Sequence, residues 1–160
     1  MKRSHEEYLQ LAISLSYKSR ESGNTPFAAI LVDKEGNVLL EQMNVEITEH
    51  KCTGHAETQL AERASKLYDR DFLWDCTLYT TAEPCSMCSG AIYWANIGKI
   101  VYGITETKLL ELTGSDEKNP TFSMGAEKVI AAGQKNIQIE GPFSEIEDEL
   151  VEAHRGFWNA

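Results

Sequence analysis

Nowhere does the sequence hold an apolar run long enough to cross a bilayer. Its longer stretches, such as Phe27 to Val32, fall far short of the about 20 residues a spanning helix needs, so no membrane span is expected. Basic charge is also scarce: 15 Lys and Arg stand against 25 Asp and Glu, a formal net charge of -10. Phosphate backbones are usually met by a basic face, so a nucleic-acid substrate is disfavoured. Only four cysteines are present, and the N-terminal Met1-Lys2-Arg3-Ser4-His5-Glu6-Glu7 turns acidic without the apolar stretch of a secretory signal. The expectation is a cytoplasmic protein whose cysteines are thiols or metal ligands rather than a disulfide framework. Repeats, low-complexity tracts and Pro/Gly-rich linkers are missing too. The 160 residues are therefore expected to form a single domain, 1–160.

What is there reads as alternating elements. Residues 4–22 open with a Ser4-x-x-Glu7 capping box and carry Tyr8, Leu11, Ala12 and Leu15 on one helical face before Gly23. Phe27 to Val32 and Val38 to Met43 flank the polar turn Asp33-Lys34-Glu35-Gly36-Asn37 and read as a hairpin. A helix is expected from His55 to Leu67, a strand from Cys76 to Thr80, a helix from near Cys85 to near Gly98 and a strand from Lys99 to Tyr102. After a loop over about 105–121, a helix from Met124 to Ala132 and a strand from Asn136 to Glu140 follow, and Ser144-x-x-Glu147 caps a last helix running toward Trp158. Helical crossovers between the last three strands favour parallel pairing there, with helices on both faces of a mixed sheet.

Two short segments carry chemistry. His55-Ala56-Glu57 and Pro84-Cys85-Ser86-Met87-Cys88 supply one imidazole and two thiols, three of the four positions around tetrahedral zinc. Cys85 and Cys88 are three apart, so in a first helical turn they face the same way, where the positive helix end favours thiolates. Glu57, two residues from His55, lies about 200° around a regular helix and is better cast beside a water than as a ligand. It is the candidate general acid/base. Cys-x-x-Cys alone also suits a redox pair or half of a structural zinc ribbon. The pattern H-x-E followed by P-C-x-x-C is the signature of the zinc nucleobase deaminases.

With Thr25-Pro26-Phe27-Ala28-Ala29-Ile30-Leu31-Val32, Gly54-His55-Ala56-Glu57, Glu83-Pro84-Cys85-Ser86-Met87-Cys88-Ser89-Gly90-Ala91-Ile92-Tyr93-Trp94-Ala95 and Ile100-Val101-Tyr102-Gly103, the chain resembles the cytidine/deoxycytidylate deaminase superfamily. Within it, the branch of bacterial guanine deaminases and tRNA adenosine deaminases is the most similar. The resemblance implies a three-layer α/β/α sandwich with a five-stranded mixed sheet whose last two strands are parallel, a bound Zn2+, and a homodimer. It implies hydrolytic deamination, with water activated by zinc, Glu57 as proton shuttle and ammonia released. Substrate contacts are implied at Asn44, after the second strand, at Phe27, and at Ala56. Trp94 is placed to stack on a purine, and Asp116, in the loop after the fourth strand, to accept from ring N–H groups. The segment His154-Arg155-Gly156-Phe157-Trp158 closes over a pocket or simply docks. Cys52, Cys76, His5 and His50 match no position in the motif.

Tyr93-Trp94, Asp116 and the acidic charge together favour a small-molecule nucleobase, guanine or a related aminopurine or aminotriazine. A tRNA adenosine deaminase, a cytosine or guanosine deaminase, and a non-enzymatic zinc module remain as alternatives.

Overall fold

The computed structural model describes residues 2–159. It opens with α1 (His5–Glu21), where the Ser4 hydroxyl accepts from the Glu7 amide at 3.1 Å and the Glu7 carboxylate accepts from the Ser4 amide at 3.0 Å. Two amides that a helix start leaves unpaired are thereby satisfied. β1 (Ala28–Val32) and β2 (Val38–Met43) then form the expected hairpin. In its turn the Asp33 carboxylate accepts from the amides of Glu35 and Asn37, and Gly36 takes a φ of 93° that disfavours a side chain.

Beyond the hairpin come α2 (Ala56–Leu67), α3 (Arg70–Trp74), β3 (Thr77–Ala82), α4 (Ser86–Ala95) and β4 (Lys99–Ile104). The chain ends with α5 (Glu106–Thr113), α6 (Ala126–Ala131), β5 (Gln138–Glu140), a 3-10 turn (Ser144–Ile146) and α7 (Glu147–Glu152). The strands form one sheet in the order β2-β1-β3-β4-β5. β1 is antiparallel to both neighbours, while β3–β4 and β4–β5 are parallel. Parallel neighbours need a crossover, which α4 and then α5–α6 provide.

The interior strand β1, Ala-Ala-Ile-Leu-Val, is buried throughout, and its alternation divides two cores. Ala29 and Leu31 pack with Leu60, Ala61 and Ala64 of α2 and Ile92 of α4. Ile30 and Val32 pack with Leu9 and Ile13 of α1 and Leu150 of α7. The result is the three-layer α/β/α sandwich with its five-stranded mixed sheet. Among the described residues no helix is long and apolar enough to cross a membrane.

Several expected boundaries move. The stretch 105–121, expected as loop, contains α5, whose Thr105 hydroxyl caps it by accepting from Lys108 N at 3.0 Å and whose Leu109 is buried. α3 had no counterpart in the sequence pattern. α4 stops at Ala95 rather than near Gly98, because Asn96 takes the left-handed conformation, φ 72°, of a C-terminal cap. Ser144 opens the 3-10 turn instead of capping a long helix, and α7 ends at Glu152, well before Trp158.

One end of the sheet collects the chemistry. The pairs Ala28↔Met43, Ala29↔Thr80 and Ala82↔Ile104 bring the start of β1 to the same end as the finishes of β2, β3 and β4. Ligands of open α/β sheets characteristically bind outside the carboxyl ends of parallel strands.

Candidate active site

At that end two helices begin side by side. His55 is the N-terminal cap residue of α2 and Cys85 that of α4, both in extended backbone, while Cys88 lies in the first turn of α4. His55 Nδ1 stands 3.5 Å from the Sγ of Cys85 and 3.5 Å from that of Cys88. The three donor atoms all fall within 4.8 Å of one another. One imidazole and two thiols converging this tightly are a zinc-type donor set, so these residues are positioned to hold a metal ion.

The local electrostatics suit a cation. The Cys85 thiol is pushed well down, first by its hydrogen bond with Cys88 and also by His55 beside it, whereas burial pushes Cys88 up. His55 rises to about 9, chiefly through its bond with Cys85. A metal takes thiolate and neutral imidazole, so its binding displaces the protons this cluster shares. The Thr58 hydroxyl donates to Cys88 Sγ at 3.1 Å, and a Glu46 carboxylate oxygen lies 3.9 Å from His55 Nε2. Such outer partners orient ligands and tune them.

Glu57 is buried in the first turn of α2 and lines the same cavity, of about 260 Å³, as His55 and Cys85. Burial, and then the negative charge of Cys85, raise its carboxyl to about 7, where it both holds and gives up a proton near neutrality. Asn44 and Phe27 also line the cavity. Asn44 is buried and fixed by its own turn, with Oδ1 accepting from the Glu46 amide at 2.9 Å. The half-buried Phe27 ring is braced by His154, centroids 5.4 Å apart and nearly edge-on, and by Trp158 at 6.0 Å. Trp158 Nε1 donates to His154 Nδ1 at 2.9 Å, and burial holds the imidazole down to about 4, hence neutral.

Three expected substrate contacts sit elsewhere. Ala56 is fully buried in the core beside Leu60 and Ala29 and is not among the cavity residues, because a helix directs neighbouring side chains to different faces. Trp94 is 75% exposed on the outer face of α4, edge-on to Tyr93, with the Lys135 ammonium 5.8 Å from its ring centre. Asp116 is not among the residues that line the cavity. Its carboxylate accepts from the amides of Asn159 and Lys118, which hold it down to about 2, and lies 2.9 Å from Lys118 Nζ. It fastens the end of the chain to the loop after α5.

In their place the cavity has residues that the motif does not contain. Glu106, the first residue of α5, is 6% exposed, and burial followed by the charges of Cys85, Glu83 and Glu57 raises it to about 8. Glu83 accepts from the amides of Glu106 and Ala126, both at 2.9 Å, and so pins the starts of α5 and α6. Lys118, Asn119, Pro120, Thr121 and the exposed Phe122 line the mouth. Cys52 also lines it. The signal available for Glu106 is its place, an acidic residue two positions past the end of a parallel strand, where such sheets hold their ligands.

Comparison with known proteins agrees with this geometry. Residues 2–104 match the family model described as cytidine and deoxycytidylate deaminase zinc-binding region. The chain is 37% identical over 152 residues to a protein of Schizosaccharomyces pombe named "Probable cytosine deaminase", covering 95% of this chain and 91% of that one. It is 38% identical over 108 residues to the guanine deaminase of Bacillus subtilis, covering 67% of this chain and 69% of the relative. A solved structure of guanine deaminase from Nitrosomonas europaea superposes with a TM-score of 0.76 at 20% identity, covering 97% of this chain and 84% of that one, and so shares the fold.

Proposed function

The chain belongs to the cytidine and deoxycytidylate deaminase zinc-binding family, whose members are zinc-dependent hydrolases, and on that premise we propose that it deaminates a free nucleobase, guanine or a related aminopurine or aminotriazine. The observation that carries the reading is the opening of His55, Cys85 and Glu57 together into one cavity of about 260 Å³. That volume is just below the range of about 300–1,000 Å³ usual for ligand pockets, which suits a single small ring system.

His55, Cys85 and Cys88 would hold the zinc. When bound, zinc supplies Lewis acidity that brings the deprotonation of water from a pKa of about 16 down to about 7. Glu57 takes one proton from the attacking water and delivers it to a ring nitrogen, then takes the second from the hydroxyl so formed and delivers it to the amine as the carbon–nitrogen bond breaks. A carbon–oxygen bond replaces it, and ammonia leaves. Asn44 and Phe27 orient the base, one by hydrogen bonding and the other by contact with its plane.

The carboxyls of Glu46, Glu57, Glu83 and Glu106 around the cavity, together with the net charge of -10, weigh against a phosphate-rich substrate such as tRNA. The fission yeast relative favours a second reading, cytosine. A homodimer is part of our proposal, checked by light scattering on the eluting protein.

Ammonia release from guanine, guanosine, adenine, cytosine, ammeline and tRNA tests the substrate. Guanine or ammeline is expected to react fastest. Turnover of cytosine with none of guanine selects the second reading, and salt-sensitive turnover of tRNA overturns both.

A further inference from the structure

Four carboxyl side chains line the cavity, and three of them have identified partners or work. Both oxygens of Glu83 accept backbone amides, from Glu106 and Ala126. Glu46 lies against His55, and Glu57 is the proton carrier. Glu106 is left. It is 94% buried, its Oε2 is sealed from solvent, and among the described residues that oxygen has no hydrogen-bond partner.

A buried carboxyl oxygen without a donor is unusual, because removing it from water is costly unless a hydrogen bond replaces the lost hydration. Its backbone is nonetheless firmly placed, since its own amide is bound to Glu83, two residues before Cys85. The last side-chain torsion of Glu is broad, so the carboxyl plane can turn to a ligand in the cavity. A carboxyl retains acceptor capacity whether ionised or protonated.

Resting on the deaminase reading above, we propose that Glu106 is the specificity-determining residue of this site. Its carboxyl accepts a hydrogen bond from a ring N–H adjacent to the amine-bearing carbon. This selects bases that contain an H–N–C–NH2 segment, as guanine and ammeline do. Cytosine and adenine lack it, because the ring nitrogen beside their amine-bearing carbon carries no hydrogen. A site built around a polar partner rejects analogues that leave it unpaired far more strongly than an apolar pocket rejects a missing methylene.

The test compares guanine with 1-methylguanine, in which that N–H is replaced by N–CH3. Ammonia release by the zinc-loaded wild type is set beside that of Glu106→Leu, with zinc content and thermal melting measured on each. Wild type is expected to prefer guanine by about 10²-fold or more, and Glu106→Leu to lose about 10²-fold on guanine with little change on 1-methylguanine, so that the preference collapses at equal zinc content. If Glu106→Leu does not fold, Glu106→Gln, which keeps the shape and one carbonyl acceptor, is expected to lose about tenfold on guanine. A folded, zinc-loaded variant that keeps the wild-type preference within about threefold overturns the role of Glu106 and leaves the deaminase reading standing. Wild-type turnover of cytosine or adenine with none of guanine or ammeline overturns both the guanine assignment and this one.

Discussion

On one wall of the cavity, His55, Glu57 and Cys85, with the buried Cys88 against His55, come from the starts of two helices, each pair within four residues of chain; on the other, Phe27, Asn44, Glu106 and residues 118–122 arrive from four separate places. The first wall is largely a local product. A helix start fixes the direction of the cap residue and of the first turn, so two helix starts brought together converge His55, Cys85 and Cys88. The second depends on long-range ties: Glu83 pinning α5 and α6, His154 and Trp158 bracing Phe27, and Asp116 holding the end of the chain. Chemistry is thus built into short motifs, whereas the shape that chooses a substrate is distributed over the fold.

Breaking the first wall should have the largest effect. Cys88→Ala is expected to lose both bound zinc, read by elemental analysis, and ammonia release. One zinc per chain with full activity in that variant would remove Cys88 from the metal site. A step smaller, Thr58→Val deletes the donor to Cys88 Sγ and is expected to weaken zinc binding about 10- to 100-fold in chelator competition. Glu46→Gln should act in the same direction through His55. Unchanged zinc affinity in both would mean that the cluster needs no outer support.

These differences explain what the sequence made legible. The metal trio and Glu57 stand in segments of fixed spacing, and the alternation of β1 and the helical periods of α1 and α2 mark the two faces of the sheet. Asp116 was expected at the substrate from its distance along the chain to the cysteine motif, and Trp94 from the likeness of Ile92-Tyr93-Trp94 to guanine deaminases. In the fold, Asp116 hydrogen-bonds the amide of Asn159, and Trp94 projects from the outer face of α4. Glu106 was hidden because the polar stretch after β4 reads as loop, and its capping Thr105 is visible only once the following turn is known to be helical.

The second wall yields smaller effects, and they depend on pH. His154 has a folded pKa of about 4 against an ordinary value of 6.5, because burial disfavours its charged form. Above pH 6.5 it is neutral in both folded and unfolded chains and has no influence on the balance. Between about 6.5 and 4 the unfolded chain binds a proton that the folded one refuses, so stability falls as pH falls, by roughly 3 kcal/mol at most. Protonation also removes the acceptor that Nδ1 offers Trp158. Urea unfolding at pH 7 and pH 5 should show this loss in wild type and a smaller one in His154→Gln; parallel losses would assign the pH dependence to other groups.

The central claim is that Glu57 moves protons for hydrolytic deamination beside a zinc held by His55, Cys85 and Cys88. Its most direct test is the joint measurement of ammonia, deaminated base and zinc content for wild type and Glu57→Gln on guanine. Wild type is expected to form ammonia and xanthine in equal amounts, and Glu57→Gln to fall by about 10²- to 10⁴-fold with its zinc retained. Undiminished turnover in Glu57→Gln, or no ammonia from any amine-bearing base with the metal site fully loaded, would contradict it.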